Sequence, residues 1–364
     1  MNDRLIRLDH LRFAAALMVM VWHFTPGYVG FDSHLALPVL AVLEEGHTGV
    51  AFFCVISGFI FAWLYKGKVA YGSFLARRVL RIFPLFFVIL ALAFFADKSW
   101  DQIQIIGLLT TLHKEGLRGY IGPGWTVLVE WQFYLVLPFM LLFIDRHGLK
   151  YVIGLWTLFL GLRLMVWMDK ETVKDLAYMT IFGRADQFLA GIIAGRLCRE
   201  LADDITPIIR WRSATLGTIG LTAIVAWSMY INARGGWLSY NANSIAWVFW
   251  PAVEALCYAA IVAGYVLAFP APKTIVSRAI SYLGRISYSM YLTHILVFSV
   301  IHKWRPFQPE TWEGALGMFV LVGLPSVVAV SSLTYALIER PFIELGRQRA
   351  KADKLVTLPT KLAA

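Results

Sequence analysis

The chain has 364 residues, 59% of them hydrophobic and only 15% charged, with a formal net charge of +10. A soluble domain carries about 25% charged residues, so this composition excludes an ordinary globular protein. The positive balance does not read as a nucleic-acid surface either, because Lys and Arg lie between apolar blocks, where cytoplasmic anchors of a membrane protein belong.

The apolar blocks approach the roughly 20 residues that cross a bilayer. They predict an all-α polytopic membrane bundle of about ten transmembrane helices. In chain order the expected spans are His10–Phe24, Thr48–Tyr65, Ile82–Phe95, Trp125–Phe143 and Lys150–Met168, then Arg184–Leu197, Ala214–Tyr230, Ile245–Phe269, Ile286–Ile301 and Leu316–Leu337. The basic start and the run Leu11–Phe24 are read as a retained first span, since Thr25-Pro26-Gly27-Tyr28 suits a loop better than a cleavage site. The segment Ile103–Leu112 is too short to span and is expected at the interface or re-entrant. Basic residues favour one side of this arrangement by better than two to one, which puts both termini in the cytoplasm. Residues 1–346 read as one transmembrane domain and 347–364 as a short basic cytoplasmic tail. Cys54, Cys198 and Cys257 lack paired spacing, so neither a disulfide framework nor a metal site is expected.

Ionisable groups inside spanning helices are costly and are functional candidates. Here they are His23, Glu130, Arg163, Glu254 and His294. At about 1.5 Å per residue, His23 stands roughly 16 Å above Arg12 on the first helix, while Glu130 lies about 8 Å below an outer end at Trp125. The two therefore fall at similar depth, where the carboxylate could orient the imidazole as a general base. The competing reading is that such groups only satisfy one another inside the bundle, and Arg163 with Glu254 is the pair expected to do so. At the other face, Arg78 and Arg81 are three residues apart and share a helix face. They could grip phosphate bidentately, although the same spacing serves an ordinary anchor. Ser57-Gly58-Phe59 in the second span combines a hydroxyl with room for close backbone approach.

Block by block, these residues resemble the acyltransferase 3 family of bacterial membrane O-acyltransferases. The blocks are Leu8-Asp9-His10-Leu11-Arg12 through Trp22-His23-Phe24, Phe52 to Phe59, the double arginine followed by Pro84, and Trp125-Thr126-Val127-Leu128-Val129-Glu130 running on to Tyr134. Arg184-Ala185-Asp186-Gln187-Phe188, Gly284 to Tyr288 with Tyr291-Leu292-Thr293-His294, and Glu339-Arg340-Pro341-Phe342 complete the order. His10 and Trp131 depart from the pattern, standing where the family often has glycine and a second glutamate. The esterase-like domain that some members carry is not expected.

The resemblance implies transfer of an acyl group, acetyl by family expectation, from cytoplasmic acyl-coenzyme A to a hydroxyl of a glycan or lipid-linked glycan outside the cytoplasmic membrane. On that reading Arg12, Arg78 and Arg81 hold the donor's phosphates, with Arg77 and Ser57 lining the same region. His23, oriented by Glu130, deprotonates the acceptor, and Trp125, Tyr134, Arg163 and His294 line the acceptor side. A covalent acyl-histidine route, acylation of a small metabolite, and a transporter or flippase of a lipid-linked sugar stay open as alternatives. The expected partners are the acceptor glycan and membrane lipid, not nucleic acid.

Overall fold

The computed structural model describes residues 3–30, 40–65, 69–97, 124–270, 274–304 and 307–356. Ile103–Leu112 lies outside them. The described residues are all helix and connecting turn, without a strand. The long helices are α1 (Asp3–Phe24), α2 (Gly49–Leu64), α3 (Tyr71–Asp97), α4 (Gly124–His147) and α5 (Leu149–Lys170). They continue as α6 (Ile181–Leu201), α7 (Pro207–Asn232), α8 (Ala246–Ala268), the short amphipathic α9 (Ile275–Arg285) and α10 (Ser287–Trp304). The last, α11, runs unbroken from Trp312 to Val356 through two π-helical turns, Phe319–Gly323 and Tyr335–Glu339. Part of the expected tail is therefore helical, and residues 357–364 lie outside the described set.

Every expected span falls on one of these helices. Among the described residues, six stretches meet both the length and the apolarity needed to cross a bilayer: Gly46–Leu64, Gly124–His147, Leu149–Lys170, Pro207–Asn232, Ala246–Ala268 and Trp312–Arg349. The fold is a polytopic membrane bundle.

Small residues set the helix spacing, as lipid supplies no hydrophobic drive between helices. Where α2 crosses α6, a Cβ on Gly191 would lie 2.1 Å from the Val55 carbonyl oxygen, and one on Gly58 2.2 Å from that of Phe188. Only glycine fits so close a backbone contact. Gly191 and Gly195 sit one turn apart on α6 and both meet α2. α7 pairs with α8, and α1 packs on α2 and α9. α5 stands at the periphery: of its residues only Val152 and Arg163 are buried, while Leu158, Met165 and Met168 face outward as lipid-facing side chains should.

Candidate functional site

α1 carries both ends of the site. Near its start Arg12, 24% exposed, lies 3.6 Å from Asp9. Near its end His23 pairs with His294 of α10, Nδ1 to Nε2 at 3.3 Å, with ring centroids 5.0 Å apart. Hydrogen-bond chemistry settles the tautomers. The Met290 carbonyl, 3.2 Å from His294 Nδ1, can only accept. His294 therefore carries its proton on Nδ1 and presents a lone pair at Nε2. His23 Nδ1 faces that lone pair and the Val19 carbonyl at 2.9 Å, so it must be the donor. The remaining nitrogen, His23 Nε2, holds a lone pair and makes no hydrogen bond among the described residues. An imidazole held in this way is a competent base.

Glu130 is elsewhere. It accepts from Ser57 Oγ at 3.2 Å and from the Tyr134 hydroxyl, and its charge acts on Arg12, Arg78 and Arg81. The structure does not join it to His23. The depth estimate fails because Trp125 is no surface marker: its ring packs 5.3 Å from Tyr178 with the Arg184 guanidinium 5.5 Å away, and Thr126 donates to the Tyr291 hydroxyl at 2.7 Å. The first described turn of α4 is thus packed inside the bundle, and Glu130 lies within reach of the arginines' charge. Tyr134, one turn on, goes with it and lies under Arg78 rather than on an acceptor side.

The arginine end has the makings of an anion site. The Arg78 guanidinium sits over the rings of Phe61, Phe74 and Tyr134 at 5.1, 5.7 and 5.7 Å, and its Nε is buried without a hydrogen-bond partner. Arg81 forms no ion pair within 4.0 Å among the described residues, although Glu130 and Glu339 are near enough to act on it. Glu339, carried inward by the second π turn, is buried and accepts from Ser289 at 2.8 Å. Its other oxygen has no partner. Arg77 points differently, reaching the Tyr65 hydroxyl at 3.5 Å.

Among the described residues, two arginine–carboxylate pairs with both side chains at most 1% exposed brace the bundle, and they are not the pair expected. Arg163 binds Asp186 through two bonds of 3.0 and 2.6 Å, both side chains 0% exposed, and donates to the Val248 and Phe182 carbonyls. A peripheral helix such as α5 must turn its one arginine inward and satisfy it there. So enclosed, Arg163 is a brace rather than part of an acceptor surface. Glu254 instead takes Gln187 at 3.0 Å, Trp250 at 3.0 Å and Arg184 at 3.5 Å. Asp186 and Arg184 sit in the polar run at the start of α6, and that run was the signal for both pairs.

Sequence reasoning also passes over Glu45 and His47. They bond at 3.0 Å in the turn before α2, with the His47 ring 5.7 Å from that of Trp22. The imidazoles of His23 and His47 are close enough to influence one another.

A family model described as an acyltransferase domain matches residues 5–336. Staphylococcus aureus proteins named as candidate O-acetyltransferases are 22% identical over 381 residues, covering 93% of this chain and 57% of theirs. Nodulation protein 10 of Rhizobium leguminosarum bv. viciae is 25% identical over 373 residues, 93% of both chains. The acyltransferase MdmB of Streptomyces mycarofaciens is 28% identical over 149 residues, 37% of this chain and 38% of its own. The chain thus spans little more than half the length of the staphylococcal relatives. No solved structure matches. With its family model matched across most of its length, the chain belongs to the acyltransferase 3 family and is a multi-pass protein of a bacterial cytoplasmic membrane.

Proposed function

We propose that the protein moves an acyl group, acetyl in keeping with the names of the staphylococcal relatives, from acyl-coenzyme A to a glycan hydroxyl. The observation that carries this is the pairing of His23 with His294, which leaves His23 Nε2 as an unengaged base. On this reading ten helices cross the membrane with both termini cytoplasmic, so that the arginine end of the site faces the donor and the His23 end the acceptor. The bias of Lys and Arg along the sequence supports that orientation.

His23 Nε2 takes the proton of the acceptor hydroxyl as its oxygen attacks the thioester carbonyl. The carbon–sulfur bond breaks, and the coenzyme leaves as a thiol after receiving that proton from the imidazolium. His294 acts on His23 by accepting from Nδ1–H, which favours the imidazolium while it exists. Arg78 and Arg81 would hold the donor's phosphates, with Arg12 between them and the base. Three guanidiniums with so few ion-pair contacts suit an anionic guest. Glu130 belongs to this donor end and steadies Ser57 and Tyr134 beside the arginines.

The test is transfer from radiolabelled acetyl-coenzyme A in membranes that contain the protein, with surface glycans of cells with and without the gene compared by mass spectrometry. His23→Ala should abolish transfer while the protein still inserts. Undiminished transfer by that variant would refute the assignment, and wild-type protein that never consumes acetyl-coenzyme A would refute the reaction.

A further inference from the structure

Both bracing carboxylates are fully engaged: Asp186 takes two bonds from Arg163, and Glu254 takes three donors. Glu339 is built differently. It is 1% exposed, lies in the second π turn of α11, and accepts among the described residues from Ser289 Oγ alone, at 2.8 Å. Its Oε1 is buried and bare. An acceptor left in that state is expensive, and π turns are frequent at functional sites. We infer that Glu339 is a counterweight to donor binding: its charge, set behind Arg81, loosens the hold on the phosphates of the coenzyme so that the spent coenzyme leaves. The inference rests on the proposed acyl transfer for the identity of the guest.

Two contacts place Glu339 behind the arginines. On α10 the Tyr288 hydroxyl donates to the Ile82 carbonyl of α3 at 2.7 Å, and the next residue, Ser289, donates to Glu339. Arg81 adjoins Ile82 in sequence and so shares this neighbourhood, and the charges of Arg81 and Arg12 both act on Glu339. Burial sorts the groups by role. Arg12, Arg78 and Arg81 keep accessible surface and can meet a guest, whereas Glu339 is enclosed. A phosphate that reaches Arg81 therefore enters the field of Glu339 without touching it.

The direction of the effect follows from what Glu339 does not hold. Among the described residues neither of its oxygens lies within 4.0 Å of a basic nitrogen, so its loss would not unhook Arg81. What the loss removes is a negative charge facing a negative guest. At an effective dielectric of about 20, two unit charges roughly 10 Å apart interact strongly enough to change an affinity about tenfold.

The test is calorimetric titration of full-length protein in lipid nanodiscs with coenzyme A, adenosine 3′,5′-bisphosphate and pantetheine. Glu339→Gln keeps an acceptor for Ser289 and removes the charge. It should bind coenzyme A and the bisphosphate about tenfold more tightly than the wild type, and pantetheine, which carries no phosphate, equally. Structural damage would weaken binding, so a gain isolates the charge. In turnover the same variant should show a lower donor KM and stronger inhibition by free coenzyme A. Glu344→Gln, which removes an exposed carboxylate further along α11, should change neither. If Glu339→Gln inserts poorly, Glu339→Met fills a similar volume without charge and should tighten binding by the same factor. Unchanged or weaker binding of coenzyme A by a well-inserted variant overturns the proposal, as does equal tightening of pantetheine. Acetyl-coenzyme A turnover on the same preparations separates the two readings. Tightened binding without turnover would refute the reaction and leave the counterweight. Turnover with no tightening would refute the counterweight alone, and no binding of coenzyme A by either protein would refute both.

Discussion

His294→Leu removes one hydrogen bond from the candidate base, and the geometry fixes how much that should matter. The lost contact is the 3.3 Å acceptance from His23 Nδ1. A hydrogen bond to a charged group contributes about 1.5–3 kcal/mol, which corresponds to roughly ten- to a hundredfold in rate. The lower end applies, because the Val19 carbonyl at 2.9 Å still accepts from the same N–H and still fixes the tautomer. His23→Ala removes the base itself and should cost about 10²–10⁴ or more. The two variants should therefore differ by at least about a decade. Both should lower kcat for acetyl transfer more than they alter KM for the donor, and His294→Gln, whose amide oxygen can accept, should recover part of the loss. Initial rates with radiolabelled acetyl-coenzyme A, normalised to inserted protein, measure all three. If His294→Leu were as damaging as His23→Ala, His294 would be doing proton chemistry of its own. If it had no effect, the pair would be packing alone. Either result refutes the relay.

Other consequences follow from the same geometry. Arg78→Ala and Arg81→Ala should each raise the donor KM about tenfold or more, as expected for the loss of a charge-assisted contact. Acetyl-pantetheine, which lacks the nucleotide phosphates, should be transferred equally well by both variants and the wild type; a penalty on that donor too would place the arginines elsewhere. Asp186→Ala strands a guanidinium that is 0% exposed and should cost about 3–5 kcal/mol, visible as a fall in detergent thermal stability. The double replacement Arg163→Met with Asp186→Leu should recover most of it, and failure to do so would mean the brace does more than satisfy itself. Gly191→Val must push α2 and α6 apart, since even a Cβ would lie 2.1 Å from a carbonyl oxygen. Overpacking of this kind costs about 1–3 kcal/mol, and lower folded yield on size-exclusion chromatography should report it, while Gly154→Val, where a Cβ meets nothing within 4 Å, should not change the yield.

The helices were legible because apolar length is a one-dimensional property, and each expected span falls on a long helix. The vertical order on α1 was legible for the same reason: Arg12 and His23 share one rigid rod. Partners across helices were not, because pairing depends on where each helix begins in depth and which way it is turned. Trp125 looks like an interfacial aromatic, yet it packs inside against Tyr178 and Arg184. With the first turn of α4 packed inward, the Glu130 charge acts on Arg12, and His23 is left to His294. Arg163 and Glu254 do not pair with each other as expected; each has another partner because α6 places Asp186 and Arg184 between α5 and α8.

On the proposed reading the site has two stations. Eleven residues of α1 separate Arg12 from His23, about 16 Å of rise, and no described hydrogen bond links the carboxylate of one level to the imidazole of the other. A base that drew its support from Glu130 would have to sit among the arginines, where a phosphate-bearing group and a hydroxyl acceptor would compete for the same space. On the proposed reading, a partner of its own on α10 for His23 leaves Glu130 to the donor end. A donor with its phosphates at one end and its thioester at the other fits that separation, since a charge held by Arg81 and a carbonyl presented to His23 cannot belong to a compact molecule.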